Sequence, residues 1–236
     1  MSASFPFDAV LFDCDGVLVD SEPITNRVLR DMLEELGWVM TLEECMATFV
    51  GKAVKDEAAQ IEAHTGQRIS NEWLAAFRER RNEALDRELL VVPGALSAAR
   101  ELHDLLGGRI ACASGADRTK VELQLDKVGL APYFRNRIFS GHETPRSKPF
   151  PDVYLAAASV LGVDPKRCAV VEDTVTGARA GLAAGATVFG YSPGGLSHSS
   201  AAALLELGVA QVFVDMAQLP AVLAGHASHT LGVARA

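Results

Sequence analysis

The strongest constraint on this chain is a set of six short, unbroken apolar runs, at residues 9–12, 109–113, 137–139, 168–171, 187–189 and 211–214. They are continuous rather than alternating, the pattern of strands covered on both faces. Helical patterns separate the later runs. Residues 117–128 place Val121, Leu125 and Val128 on one face before Gly129. Pro151 opens a second helix carrying Tyr154, Leu155, Ala158 and Leu161, which Gly162 closes, and a third covers 174–184 and stops at Gly185. Proline at the start and glycine at the stop is the expected asymmetry of helix ends. Strand and helix in regular alternation predict an α/β fold with a parallel, doubly wound sheet.

One stretch breaks the alternation. Residues 20–87 carry helical patterns and no strand: Ile24, Val28, Met32, Leu33 and Leu36 share a face before Gly37, and Thr41-Leu42-Glu43-Glu44 fits a capping box. Residues 54–64 and 70–85 give two more helices, and Pro93-Gly94 marks the return to the sheet. The expected organisation is a helical domain at 20–87 inserted into an α/β domain formed by 1–19 and 88–236. Trp38 and Trp73 read as core of the insert. The tail beyond Gly225 is expected to fray.

Net charge is −8, with no dense Lys/Arg run, which argues against a nucleic-acid partner. The apolar runs fall well short of the ~20 residues that cross a bilayer, and the N-terminus does not read as a secretory signal. The four cysteines, Cys14, Cys45, Cys112 and Cys168, form no Cys-x-x-Cys pair and read as buried thiols of a cytoplasmic protein. No obligate protein partner is evident.

In an open parallel sheet, ligands bind beyond the carboxyl ends of the strands. Those ends carry Asp13-Cys14-Asp15-Gly16, then Ser114-Gly115, a loop with Lys148, and Glu172-Asp173-Thr174. Clustered carboxylates disfavour joint ionisation and need a cation. Oxygen ligands without His or Cys favour Mg²⁺ over zinc, and Mg²⁺ bridges to phosphate oxygens. Lys148 would add a second positive charge, while Ser114 and the amides of Gly115 and Ala116, at a helix start, suit a phosphate oxygen. The set fits phosphoryl transfer, with Asp13 as nucleophile and Asp15 as acid–base group. Each has a plainer reading when taken singly. Asp13 could be a strand-end carboxylate, Ser114-Gly115 a turn and helix cap, Lys148 a surface lysine, and Glu172-Asp173 acids at a helix N-terminus.

The run Asp13-Cys14-Asp15-Gly16-Val17-Leu18-Val19-Asp20-Ser21-Glu22 resembles the first motif of the haloacid dehalogenase superfamily. Ser114, Lys148 and Glu172-Asp173-Thr174 match its other three motifs in order, and residues 177–185 are also similar to the family. The resemblance implies a Rossmann-like core with a mobile helical cap. It implies Asp13 as nucleophile and metal ligand, and Asp15 as acid–base group and backbone metal ligand. Asp173 would ligate Mg²⁺ with Glu172 as ligand or neighbour, and Ser114 and Lys148 would hold the phosphate. Asp15 and Asp173 argue against dehalogenation.

Within the family the nearest similarity is to β-phosphoglucomutase-like proteins and sugar-phosphate phosphatases, with residues 138–141 and 146–149 closer to phosphatases of 6-phosphogluconate-type substrates. Three mutase positions appear here as Thr25, Val54 and Asp117, which favours hydrolysis; Lys55 or Arg118 could stand in for the missing cations. The expected activity is therefore a Mg²⁺-dependent phosphatase of a small phosphorylated metabolite. A phosphosugar mutase is the alternative, and a non-catalytic binding protein the third reading. Lys52, Lys55 and Arg81 are candidate substrate contacts, against a solvated helix face. Glu22 either orders the hinge or touches substrate. His64, His103, His142 and His198 show no ligand spacing.

Overall fold

The computed structural model describes residues 5–233, with side chains described through residue 226; residues 1–4 and 234–236, the outer parts of both tails, lie outside the described residues. Six parallel strands form one sheet in the order β3-β2-β1-β4-β5-β6. They are β1 (Ala9–Phe12), β2 (Ile110–Ser114), β3 (Ile138–Ser140), β4 (Cys168–Glu172), β5 (Thr187–Tyr191) and β6 (Gln211–Phe213). Each coincides with one of the apolar runs, give or take a residue or two at the ends. Leu11 pairs with Ala111 on one side and with Val170 on the other.

The continuity of the runs has a direct structural cause. Val10 and Phe12 point into a core with Leu102, Leu125 and Leu223, while Ala9 and Leu11 point into a second core with Ala157, Ala178 and Leu204. Both strand faces are therefore dry, and no alternation is possible. The chain past Gly225, expected to fray, stays helical in the final helix to Val233.

The insert consists of α1 (Glu22–Glu35), α2 (Leu42–Phe49), a 3₁₀ turn at Val54–Glu57, α3 (Ala58–Thr65) and α4 (Asn71–Glu88). Thr41 forms the expected capping box with Glu44, and Ser70 caps α4 through the Trp73 amide. The helix expected from Val54 to His64 is split: Ala53 offers no capping side chain, and the first turn winds as 3₁₀. The insert has its own apolar cluster around Leu29, Met32, Leu33, Phe49, Ile61 and Phe77, with Trp38 and Trp73 packed against it. The two crossings to the sheet lie side by side, since the Asp20 amide donates to the Leu90 carbonyl and the Val92 amide to the Leu18 carbonyl, both at 3.0 Å.

After the return at Gly94 the chain forms α5 (Ala95–Leu105), whose buried face is Ala95, Ala98, Ala99 and Leu102. Three helices follow: α6 (Arg118–Lys127), α7 (Ala131–Phe134) and α8 (Asp152–Leu161). The remaining three are α9 (Val175–Ala183), α10 (Ala201–Glu206) and α11 (Leu219–Val233). All four cysteines are buried and free. No helix among the described residues is long and apolar enough to cross a membrane.

Candidate active site

The sheet's strand order reverses at β1, so the loops after β1 and β4 part above the sheet and leave a crevice. Asp13 sits there, one residue past β1, with its amide donating to the Val171 carbonyl at 3.0 Å. Lys148, from the loop between β3 and α8, places its ammonium 2.7 Å from Asp13 Oδ1 and 2.6 Å from Glu172 Oε1. Its side chain is only 8% exposed. Burial works against the ammonium, yet Asp13 and Glu172 hold its pKa well above the ordinary lysine value.

Glu172 ends β4 with no exposure and is held by four donors. Lys148 and the Tyr154 hydroxyl (2.5 Å) reach Oε1, while the Asp173 amide and the Thr174 hydroxyl (both 3.3 Å) reach Oε2. A Cβ at Gly177, in the first turn of α9, would collide with this carboxylate, so glycine is what lets the helix start against it.

Asp173 is different. Its Oδ1 is buried and has no hydrogen-bond partner among the described residues. Carboxylate oxygens of Asp13, Glu172 and Asp173 lie within 4.8 Å of one another. Burial, and then the neighbouring carboxylates, push Asp173 well above the ordinary range. Burial likewise raises Asp13 to about 7, against the pull of Lys148 and with the help of Glu172 and Asp15. Such a cluster is costly unless a cation joins it, and its hard oxygen donors fit a small divalent cation such as Mg²⁺. With the Glu172 oxygens already engaged, the orphaned Asp173 oxygen and Asp13 are the open donors. Gly16, at φ +77°, lies so near the Asp173 carboxylate that a Cβ there would strike it.

Asp15 is served by a second lysine. Its Oδ1 accepts from Lys120 at 2.7 Å, from Gln124 at 2.8 Å and from the Ser21 hydroxyl. Burial alone would raise this carboxyl, but Lys120 and the hydrogen bonds outweigh it and hold the group at about 2. Lys120 and Gln124 stand four residues apart on α6, hence on one helix face. That buried polar pair beside Val121 and Leu125 is the sequence signal for this contact.

Ser114 ends β2 and is buried; its hydroxyl accepts from the Ala116 amide at 3.0 Å. That contact ties the Ala116 amide to the strand end. Ser114, Gly115 and Ala116 still line the cavity above Asp13.

The cavity, about 370 Å³, lies between these strand ends and the insert. Glu22 lines it, its carboxyl raised to about 7 chiefly by burial and tethered to Asn26 at 2.8 Å. Lys52 and Lys55 also line it, Lys52 pairing with Glu57 at 3.3 Å. The solvated-face reading fails for Arg81, which is buried and reaches Asp117 Oδ2 from α4 at 3.0 Å. Arg118 is bound to Glu143 at 2.6 Å and does not face the cavity, so of the two possible stand-in cations only Lys55 does. Thr25 lines the cavity, its hydroxyl buried and without a hydrogen-bond partner among the described residues.

Residues 7–185 match the haloacid dehalogenase-like hydrolase family. The 6-phosphogluconate phosphatase of Escherichia coli is 31% identical over 77% of this chain and 81% of its own length. A haloacid dehalogenase family hydrolase from Deinococcus radiodurans, solved with bound phosphate and sodium, is 37% identical with a TM-score of 0.76, covering 94% of this chain and 97% of that one. A conserved haloacid dehalogenase-like protein of unknown function from Agrobacterium tumefaciens is 34% identical with a TM-score of 0.79, covering 94% and 99%. The chain belongs to the haloacid dehalogenase-like hydrolases. It is an enzyme, a phosphatase of that family.

Proposed function

We propose that the enzyme hydrolyses a small sugar phosphate or sugar-acid phosphate with Mg²⁺, through a phosphorylated Asp13. The observation that carries this reading is the convergence of Asp13, Lys148 and Asp173, from three distant segments, with one Asp173 oxygen left buried and unpaired. Asp13, Asp173 and the backbone carbonyl of Asp15 would hold Mg²⁺. Glu172 anchors Lys148 and stands beside the ion rather than binding it. When bound, the ion supplies positive charge against the phosphate and carboxylate oxygens.

In the first step an Asp13 carboxylate oxygen forms a bond to phosphorus as the bond to the sugar oxygen breaks, and Asp15 gives that oxygen a proton. In the second, Asp15 takes a proton from water, which attacks phosphorus and releases phosphate and free Asp13. Lys148, Ser114 and the Gly115 amide hold the phosphoryl oxygens. Lys120, Ser21 and Gln124 all hold Oδ1, so Asp15 takes up its proton at Oδ2 before the first step and passes it from there, while a rearrangement of the cap over the crevice keeps bulk water out during the transfer. The cap is assigned to residues 20–87, supported by its separate apolar cluster, and the core to 1–19 and 88–236.

A name such as 6-phosphogluconate phosphatase for a relative, and a cavity large enough for a phosphosugar, support the substrate class. Hydrolysis is favoured over a mutase because Asp117 pairs with Arg81 where a mutase has a phosphate-binding lysine. The setting is proposed to be cytoplasmic. Phosphate release from a panel of phosphosugars with Mg²⁺, and then with EDTA, tests the reading. Release that EDTA abolishes is expected. Release unaffected by EDTA would remove the metal. Conversion of β-glucose 1-phosphate on adding the bisphosphate, without phosphate release, would make it a mutase.

A further inference from the structure

The mouth of the cavity carries charges that the chemistry at its floor does not use. Arg78 projects from α4, Lys55 from the 3₁₀ turn and His142 from the loop after β3, and all three line the cavity. Arg78 has no ion pair or hydrogen bond among the described residues. Lys55 has only a 3.9 Å approach to its own neighbour Asp56, and the two side chains are 50% and 66% exposed. The His142 ring accepts and donates no hydrogen bond among the described residues, its backbone amide alone donating to Ser140.

Apart from Asp56, which is 66% exposed and lies 3.9 Å from Lys55, the acids nearby are committed to other cations. Asp117 is paired with Arg81, Glu57 with Lys52 and Glu143 with Arg118. Partial burial and the positive charges of Lys55, Arg78 and Arg81 hold the His142 imidazole below its ordinary range, against the pull of Asp117. Arg78, without a partner among the described residues, and Lys55, with only a distant and exposed one, repel each other across the cavity lining, and an anion placed between them relieves that repulsion.

Resting on the phosphatase reading above, we infer that Arg78, Lys55 and His142 form a second anion subsite, so that the preferred substrate carries a further negative group, a carboxylate or second phosphate, at the end away from the scissile phosphate. Arg78 presents a planar fork that fits either group with two parallel hydrogen bonds, and charge-assisted bonds are roughly twice as strong as those to a neutral hydroxyl. A neutral polyol phosphate fills the same volume but leaves the cations unmatched. The subsite acts on binding, so its mark is on KM more than kcat.

The test compares 6-phosphogluconate, a sugar bisphosphate and sorbitol 6-phosphate, which differ at the distal end. The expected kcat/KM for at least one dianionic substrate exceeds that for the neutral-ended one by tenfold or more, and which of the two leads identifies the group. Arg78→Gln and Lys55→Gln, both at exposed positions, are expected to reduce that ratio severalfold each, and Arg78→Glu to abolish it. Equal kcat/KM for all three substrates, or a ratio unmoved in every variant, overturns the inference while leaving the phosphatase intact. Calorimetry on Asp13→Asn protein separates the two readings. Without turnover, tighter binding of a dianionic ligand than of sorbitol 6-phosphate is still expected, and equal binding overturns the subsite. Absence of phosphate release from all three substrates by the unaltered enzyme overturns the phosphatase reading instead.

Discussion

The floor and the mouth of the cavity are built on opposite terms. At the floor, charged side chains are buried and tied to each other: Lys148 to Asp13 and Glu172, Lys120 to Asp15, and Glu172 to four donors at once. At the mouth, Lys55 and Arg78 are exposed and nearly free. Buried, saturated charges hold geometry, because any movement leaves one unpaired in a medium that punishes it. Exposed, unpaired charges hold little geometry and can yield to whatever binds. Chemistry that must not drift belongs at the first, and discrimination among ligands at the second.

The sharpest way to break this contrast is at Asp13. Asp13→Asn is expected to lower kcat by roughly a thousandfold or more while the fold persists, read as steady-state phosphate release alongside circular dichroism. Appreciable turnover would show that the nucleophile lies elsewhere. Lys148→Met comes next. It strands Asp13 and Glu172 without their shared cation, and is expected to cost about 3–5 kcal/mol of stability in urea unfolding. A loss below about 1 kcal/mol, typical of an exposed pair, would mean that the floor is no more tightly built than the mouth.

Lys120→Met addresses the second lysine. With its main counter-charge gone, Asp15 is less well positioned, and kcat is expected to fall up to about a hundredfold with KM little changed. An unaltered kcat would assign Lys120 to packing alone. The smallest effect is expected at Glu22, which stands between the two regions. Its carboxyl titrates at about 7 in the folded protein against an ordinary 4.5, chiefly through burial. Its contribution to stability is therefore complete below about 4.5 and is lost as pH rises through 7. Glu22→Gln is expected to raise the urea midpoint at pH 8 and leave it nearly unchanged at pH 4; the opposite trend would place the carboxylate in a favourable field.

The same division explains what could be read from the sequence. The strands were legible because continuous apolar runs have few alternatives, and the floor because Asp13, Glu172 and Asp173 sit at the ends of those runs and Lys148 in the loop beyond another. Arg81 was not, since its burial depends on α4 meeting Asp117 at the start of α6, a contact that helical periodicity cannot contain. Lys120 and Gln124 shared a face that local pattern did show, but their target, Asp15, lies more than a hundred residues away.

The paired crossings between Leu18, Asp20, Leu90 and Val92 carry a wider consequence. Topologically, everything from α1 to α4 is one enlarged excursion whose departure and arrival points touch. Such an excursion can be lengthened, shortened or exchanged for another without rerouting any strand of the sheet. Descent can therefore rewrite what the enzyme admits while the apparatus beneath it is inherited unaltered.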